Sequence, residues 1–163
     1  VKNYFLVNVL YSHIFPCLML ILRPFKDTDL GRIQEIVLNS LKEIYDPNIY
    51  YSIATSWPDG FIVAECNGTV VGFIAGTIVS QEETRVLMFA VSEGYRDRGI
   101  GSMLFTEFLR RSAMLGAKRI SLEVRVSNRR AIEFYTRFSF VIVSLLPVYY
   151  SDGEDGYKMV RFL

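Results

Sequence analysis

Arg96-Asp97-Arg98-Gly99-Ile100-Gly101 are the residues of this chain best suited to hold a reactive ligand. They sit between an apolar run, Val86-Leu87-Met88-Phe89-Ala90-Val91, and an amphipathic run from Ser102 to Leu115. Strand, basic glycine turn and helix form a layout that holds a phosphorylated cofactor. The glycines let the backbone approach a ligand with no Cβ in the way. The turn opens a helix, whose free N–H groups and positive dipole end favour an anion. Arg96 and Arg98 add charge at the same place, so a diphosphate is the natural guest. Residues 94–130 hold nine Lys or Arg against three Asp or Glu, residues 1–93 six against ten, and residues 131–163 three against four. The cationic region therefore coincides with the glycine turn; its other reading is a solvated basic face.

What the chain lacks narrows the chemistry further. His13 is the only histidine and lies outside the repeating pattern of strands and helices. A Ser-His-Asp or Cys-His-Asn triad in the core is thereby disfavoured. Any general base there is a carboxylate, a tyrosine or a water. Cys17 and Cys66 are far apart and form no CxxC pair. No metal or disulfide framework is readable, a reducing cytoplasm is the expected compartment, and Cys66 is expected as a buried strand residue.

At 163 residues the chain suits one well-packed domain rather than two. A formal net charge of +1 argues against a dedicated nucleic-acid binder. Tyr4 to Leu22 is largely apolar, so a signal peptide or membrane anchor must be weighed. Asn8, Ser12, His13 and Pro16 interrupt the run, and no small-residue cleavage site follows. Met19 immediately precedes a good first strand, Leu20 to Phe25. Residues 1–18 are therefore expected to be an extension, with Met19 the real or alternative start and 19–163 a single domain without a membrane partner.

The elements that must position the turn follow from periodicity. Asp27 is an expected N-cap for a helix to about Ser40, with Leu30, Ile33, Ile36 and Val37 on one face. A second helix runs from Pro47 to about Ser56, followed by turn chemistry at Trp57-Pro58-Asp59-Gly60. Phe61 to Cys66 and Thr69 to Ser80 read as strands joined by Asn67-Gly68, a strong hairpin signal. Thr84 to Val91 is the next strand, and Gly116 closes the helix after the glycine turn. Lys118 to Val126 alternates, with Ile120, Leu122 and Val124 on one face and Ser121, Glu123 and Arg125 on the other. Asn128 to about Arg137 is a helix; Phe138 to Leu146 and Tyr157 to Phe162 are closing strands around a polar loop, residues 151–156. The pattern is a mixed α/β sheet with early hairpins and later strand–helix–strand units.

The segment Val91 to Gly101 resembles the acyl-CoA-binding motif of the GNAT acetyltransferases, Arg/Gln-x-x-Gly-x-Gly/Ala. Leu122-Glu123-Val124-Arg125-Val126-Ser127-Asn128, then Ala131-Ile132 and Phe134-Tyr135, resembles the branch that acetylates protein amino termini, of archaeal and ribosomal-protein-alanine types. The tail Pro147-Val148-Tyr149-Tyr150, the acidic loop and Lys158-Met159 fit that branch too. The resemblance covers about Leu20 to Leu163 and implies a GNAT fold, a mixed, mostly antiparallel central sheet flanked by helices. There are departures. Most members carry Leu-Gly-Phe where this chain has Phe138-Ser139-Phe140, and a Ser at a φ > 0 position is strained by ~1 kcal/mol. Arg85 stands where a His often precedes the central strand, and the Leu-Pro-Glu-Asn-Tyr substrate motif survives as Leu41-Lys42-Glu43-Ile44-Tyr45.

The resemblance implies acetyl-CoA as cofactor and roles for particular residues. Arg96, Asp97, Arg98, Gly99, Ile100, Gly101 and Ser102 would cradle the diphosphate. The backbone of Phe89, Ala90 and Val91 would pair with the pantetheine arm and offer an N–H to the thioester oxygen. Asn128 would contact the cofactor, or simply cap the following helix. Tyr135 would protonate the departing thiolate, or serve as a core aromatic. Glu123 is the best candidate base, acting through a water; its other reading is a salt bridge to Arg125 or to a neighbouring strand. An α-amine of pKa roughly 7.7–8.0 costs about 1 kcal/mol to deprotonate at pH 7, a lysine about 4.6 kcal/mol. A site without histidine therefore suits an α-amine better. Glu43, Tyr45, Tyr149 and Tyr150 match the family's substrate clamp, and Arg85 could read an acidic second residue or be a rim charge.

The expected reaction is transfer of acetyl from acetyl-CoA to a protein or peptide N-terminus, by direct attack in a ternary complex. Rivals are acetylation of a small amine, such as a polyamine or aminoglycoside, and a CoA-binding module without turnover. A ribosomal contact or an auxiliary subunit leaves no readable mark.

Overall fold

The computed structural model describes Cys17, residues 19–163 and the backbone of residues 5–7. The rest of the 1–18 extension, His13 included, lies outside the described residues. The chain divides into two compact units, Val1–Gly76 with Met88–Arg111, and Thr77–Leu87 with Ser112–Leu163. Among the described residues no helix is long and apolar enough to cross a membrane.

The first unit contains β1 (Phe5–Val7), β2 (Leu20–Pro24), α1 (Leu30–Leu41), α2 (Pro47–Ser56), β3 (Phe61–Cys66) and most of β4 (Thr69–Ser80). Its strands pair antiparallel in the order β1-β2-β3-β4. Asn67 and Gly68 both take positive φ, 49° and 83°, the geometry a tight hairpin needs to match strand twist. α1 buries Ile33, Ile36 and Val37, α2 buries Tyr50 and Ile53, and these cluster with Phe61, Val63 and Phe73. Phe73 is fully buried, so Phe73→Ala would cost about 3–5 kcal/mol.

Two local expectations change here. Asp27 does not cap α1: Asp27–Asp29 forms a 3-10 turn and the helix begins at Leu30. The reason is Arg23, buried on β2, which must face carboxylates. Its Nη1 and Nη2 donate to Asp29 at 2.7 and 2.9 Å, and its Nε donates to Glu65 at 2.6 Å. Asp29 also accepts the Lys26 N–H at 2.8 Å, so the turn is drawn to the ion pair. The cysteines are corrected as well. Cys66 is buried on β3 as expected, but it forms a disulfide with Cys17, the Cα atoms 5.6 Å apart. Spacing hid the pair, because antiparallel pairing of β2 with β3 sets Leu20 opposite Cys66.

The second unit contains the start of β5 (Glu83–Val91), then β6 (Arg119–Arg125), α4 (Arg129–Arg137), β7 (Val141–Leu146) and β8 (Gly156–Phe162). Its strands run in the order β5-β6-β8-β7. β5 and β6 pair parallel over Glu83–Arg85 and Arg119–Ser121; the β6–β8 and β7–β8 pairs are antiparallel. The fold is thus α/β, with mixed, mostly antiparallel pairing. Ile120, Leu122 and Val124 are buried on one face of β6, as the alternation predicts. β7 starts three residues later than expected, because Ser139 and Phe140 donate their N–H groups to Thr136 and Tyr135 carbonyls and close α4. Ser139 sits at φ 62°, the left-handed position expected to be strained.

Candidate active site

The glycine turn belongs to the first unit and is built on β5. Ser92 N–H donates to Val71 O at 2.8 Å, ending the strand, and a 3-10 turn follows at Glu93–Tyr95. Arg96 is spent on bracing: its Nε donates to Val91 O and its Nη2 to Ser40 Oγ, both at 2.9 Å. Asp97 and Gly99 take φ of 60° and 80°. A Cβ on Gly99 would meet nothing within 4 Å, so conformation rather than crowding demands glycine there. α3 (Ile100–Met114) starts two residues earlier than the amphipathic run indicates, which places Gly101 and Ser102 in its first turn. Met103 N–H donates to Gly99 O at 3.0 Å, and the N–H groups of Ile100, Gly101 and Ser102 precede the first intrahelical bond. This cradle fits a diphosphate. Arg98 lies 5.8 Å from the Tyr95 ring centroid, exposed beside the turn.

Sequence reasoning missed Gly72. A Cβ there would stand 3.1 Å from Ala90 O and 3.2 Å from Val91 Cγ2, so Gly72 sets the close approach of β4 to the Phe89–Val91 segment. Phe89 is anchored by its ring, 5.5 Å from that of Phe105. Also in this unit, Glu43 and Tyr45 follow α1, whose last turn ends at Lys42 with φ 59°. Tyr45 is half-buried and packs on the α1–α2 core.

The second unit holds most of the acid–base and acceptor candidates, and two of them, Arg85 and Glu123, share one sheet face. Arg85 is the register partner of Ser121, which puts it on the face of Ser121, Glu123 and Arg125. Its Nε and Nη2 both reach Glu123 Oε2 at 2.8 Å. Nη2 also donates to the Tyr149 hydroxyl at 3.1 Å. Arg125 lies over the Tyr150 ring, 4.0 Å from its centroid, and its Nη1 donates to Asp152 at 2.7 Å and Glu154 at 2.8 Å. Ser127 donates to Glu154 through both N–H and hydroxyl. Burial pushes the Tyr150 hydroxyl up to about 12, against the pull of Arg125 and with help from Tyr149, Glu123 and Glu154. Burial at Glu83 favours the neutral acid, but hydrogen bonds from Ser121 and Arg119 outweigh it and keep the carboxyl below its usual range.

Tyr135 is buried on α4, its ring 5.7 Å from Phe134 and 6.1 Å from Phe140. Burial, seconded by Tyr150, raises its hydroxyl well above the usual phenol range, so it holds its proton. Asn128 caps α4, its Oδ1 accepting the Ala131 N–H at 3.1 Å. The salt bridge foreseen for Glu123 is present, with Arg85 of the neighbouring strand as its partner.

The chain belongs to the acetyltransferase (GNAT) family, whose pattern matches residues 30–140. It is 35% identical over 144 residues to the N-alpha-acetyltransferase daf-31 of Caenorhabditis elegans, spanning 83% of this chain and 78% of that protein. Ard1 from Thermoplasma volcanium shares its fold with a TM-score of 0.86 at 38% identity, over 88% of this chain and 97% of that one. Arabidopsis thaliana Naa50, solved with the bisubstrate analogue CoA-Ac-MVNAL, gives a TM-score of 0.80 at 25% identity, over 88% and 99%. The fold and enzyme class implied by the sequence resemblance are therefore those of the molecule: it is a GNAT acetyltransferase.

Proposed function

We propose that the chain transfers acetyl from acetyl-CoA to the α-amine of a protein or peptide N-terminus, by direct attack in a ternary complex. The observation that carries this reading is the Glu123 carboxylate on β6, tied to the acceptor tyrosine Tyr149 through Arg85. The names of daf-31 and of the Naa50 complex support the same acceptor class. Acetyl-CoA supplies an activated thioester. The first-turn N–H groups of α3 and the Gly99 turn hold its diphosphate, and the Phe89–Val91 backbone directs its arm. Both Arg85 contacts fall on Glu123 Oε2, which leaves Oε1 to draw the proton from the attacking amine through a water. As the new C–N bond forms and the C–S bond breaks, Tyr135 gives its proton to the leaving thiolate. Its raised pKa keeps that proton in place until then. Neither cysteine is a nucleophile on this route; both are in the disulfide.

The deciding experiment incubates the protein with acetyl-CoA and peptides that differ at the first two residues, beside lysine-only peptides and polyamines. Thiol release with free α-amines is expected. Release with polyamines alone would move the acceptor to small amines; no release with any amine would leave a CoA-binding module. We further assign the enzyme to the cytoplasm, against which the Cys17–Cys66 disulfide counts, since most cytosolic thiols stay reduced. Cell fractionation checks that assignment.

A further inference from the structure

We propose that Arg85 and Arg125 are positioning residues that hold the Tyr149–Tyr150 pair in register with Glu123, and that neither reads charge on the acceptor. The inference rests on the acceptor-facing role given to the tyrosines above.

Three strand positions create the arrangement. Arg85 stands beside Ser121, and Glu123 and Arg125 follow on the same face at steps of two. From β5, Arg85 joins the Glu123 carboxylate to the Tyr149 hydroxyl with one guanidinium. From β6, Arg125 stacks on Tyr150 while its Nη1 grips Asp152 and Glu154 beyond it. The two rings meet edge to face, with centroids 5.1 Å apart and an interplanar angle of 87°. The tyrosine pair is thus held at its hydroxyl end by one arginine and on a ring face by the other. Each guanidinium already faces a carboxylate, so little of its charge is left for an acidic acceptor residue.

The loop backbone shows that this grip acts against resistance. Val148, directly before the pair, has φ 52°. A β-branched residue in the left-handed region is a strained outlier and persists only where its surroundings over-determine it. Here Val148 N–H donates to Asp155 Oδ1 at 2.7 Å, Tyr150 N–H to Glu154 O at 3.0 Å, and Gly153 N–H to Tyr150 O at 2.9 Å. Arg125 fixes Asp152 and Glu154, the second of which Ser127 also holds, and so helps to keep these bonds in place.

The test has a kinetic and a structural arm. Arg125→Gln is expected to raise the peptide KM about tenfold, the worth of a stacked, charge-assisted contact, with the acetyl-CoA KM changed by less than about twofold. Tyr149→Phe, which removes one hydroxyl, is expected to raise the peptide KM less, and to add nothing in an Arg85→Gln background. Arg85→Gln should lower kcat/KM equally for peptides with an acidic or an uncharged second residue; a loss confined to acidic peptides overturns the proposal. Amide hydrogen exchange at Tyr150 and Gly153 should quicken in Arg125→Gln, and unchanged exchange overturns the proposal too. If the unaltered protein acetylates no peptide, the functional reading fails, and the exchange result alone decides whether Arg125 holds the loop.

Discussion

The glycine turn of the first unit and the charged face of the second solve opposite problems. In the proposed reaction the turn binds with backbone. Asp97 and Gly99 bend the chain through positive φ, and the N–H groups of Ile100, Gly101 and Ser102 precede the first intrahelical bond, while Arg96 is spent on Val91 and Ser40. The charged face works with side chains alone, each fixed by another: Arg85 by Glu123 and Tyr149, Arg125 by Asp152, Glu154 and Tyr150. Backbone binding tolerates change in side chains but not in φ. Paired side chains tolerate modest backbone shifts but not loss of a partner. One unit should therefore lose stability and cofactor affinity together when altered, the other turnover or acceptor affinity alone.

The sharpest separation is expected at Glu123 and Tyr135. Glu123→Gln should lower kcat by about a hundredfold or more, and Tyr135→Phe by about tenfold, with acetyl-CoA affinity nearly intact in isothermal titration. An equal loss of affinity would assign both residues structural roles and erase the contrast. Next in size is the buried ion pair of the first unit. Asp29→Asn should cost about 3 kcal/mol in urea unfolding, since among the described residues it leaves the buried Arg23 with Glu65 as its one carboxylate partner. Burial pushes the Asp29 carboxyl up, but hydrogen bonds from Arg23 and the Lys26 N–H outweigh that and hold it below its ordinary 3.8. A lowered folded-state pKa gives stability that is full above the unfolded value and lost as pH falls through the folded one. The Asn variant should therefore show a flatter melting curve below about pH 4; an unchanged acid limb would place the acid sensitivity elsewhere.

Gly99→Ala should cost about 1–2 kcal/mol through its positive φ and weaken acetyl-CoA binding in the same variant. Loss of affinity without loss of melting temperature would mean the turn is not held by conformation. The smallest effect is expected at Tyr50, whose buried hydroxyl has no hydrogen-bond partner among the described residues. Tyr50→Phe should leave kcat unchanged and stability equal or up to about 1 kcal/mol higher. A clear destabilisation would reveal a partner for that hydroxyl.

The same contrast explains what the sequence made legible. Gly99, the Asn67-Gly68 hairpin, the Pro47 helix start and Gly116 announce themselves, because only certain residues accept those backbone angles. The alternation of β6 also told which residues share the face of Glu123. Which partner Glu123 takes was left open between Arg125 and a neighbouring strand, since that depends on the parallel register of β5 and β6, a tertiary fact. Gly72 was missed for the same reason: its meaning lies in how near Ala90 comes. The start of α1 was misjudged at Asp27 because the ion pair of a buried arginine on the preceding strand decides where the turn forms.

The Cys17–Cys66 bond has a topological consequence. It closes residues 17–66 into a covalent ring that contains α1, α2 and the Glu43–Tyr45 segment. Ile44, in that segment, is 84% exposed, an open target for a protease. A cut there opens the ring without dividing the molecule. The severed pieces stay joined through sulfur, and only a reductant separates them, so a nicked chain runs at full length on a non-reducing gel and as two fragments on a reducing one.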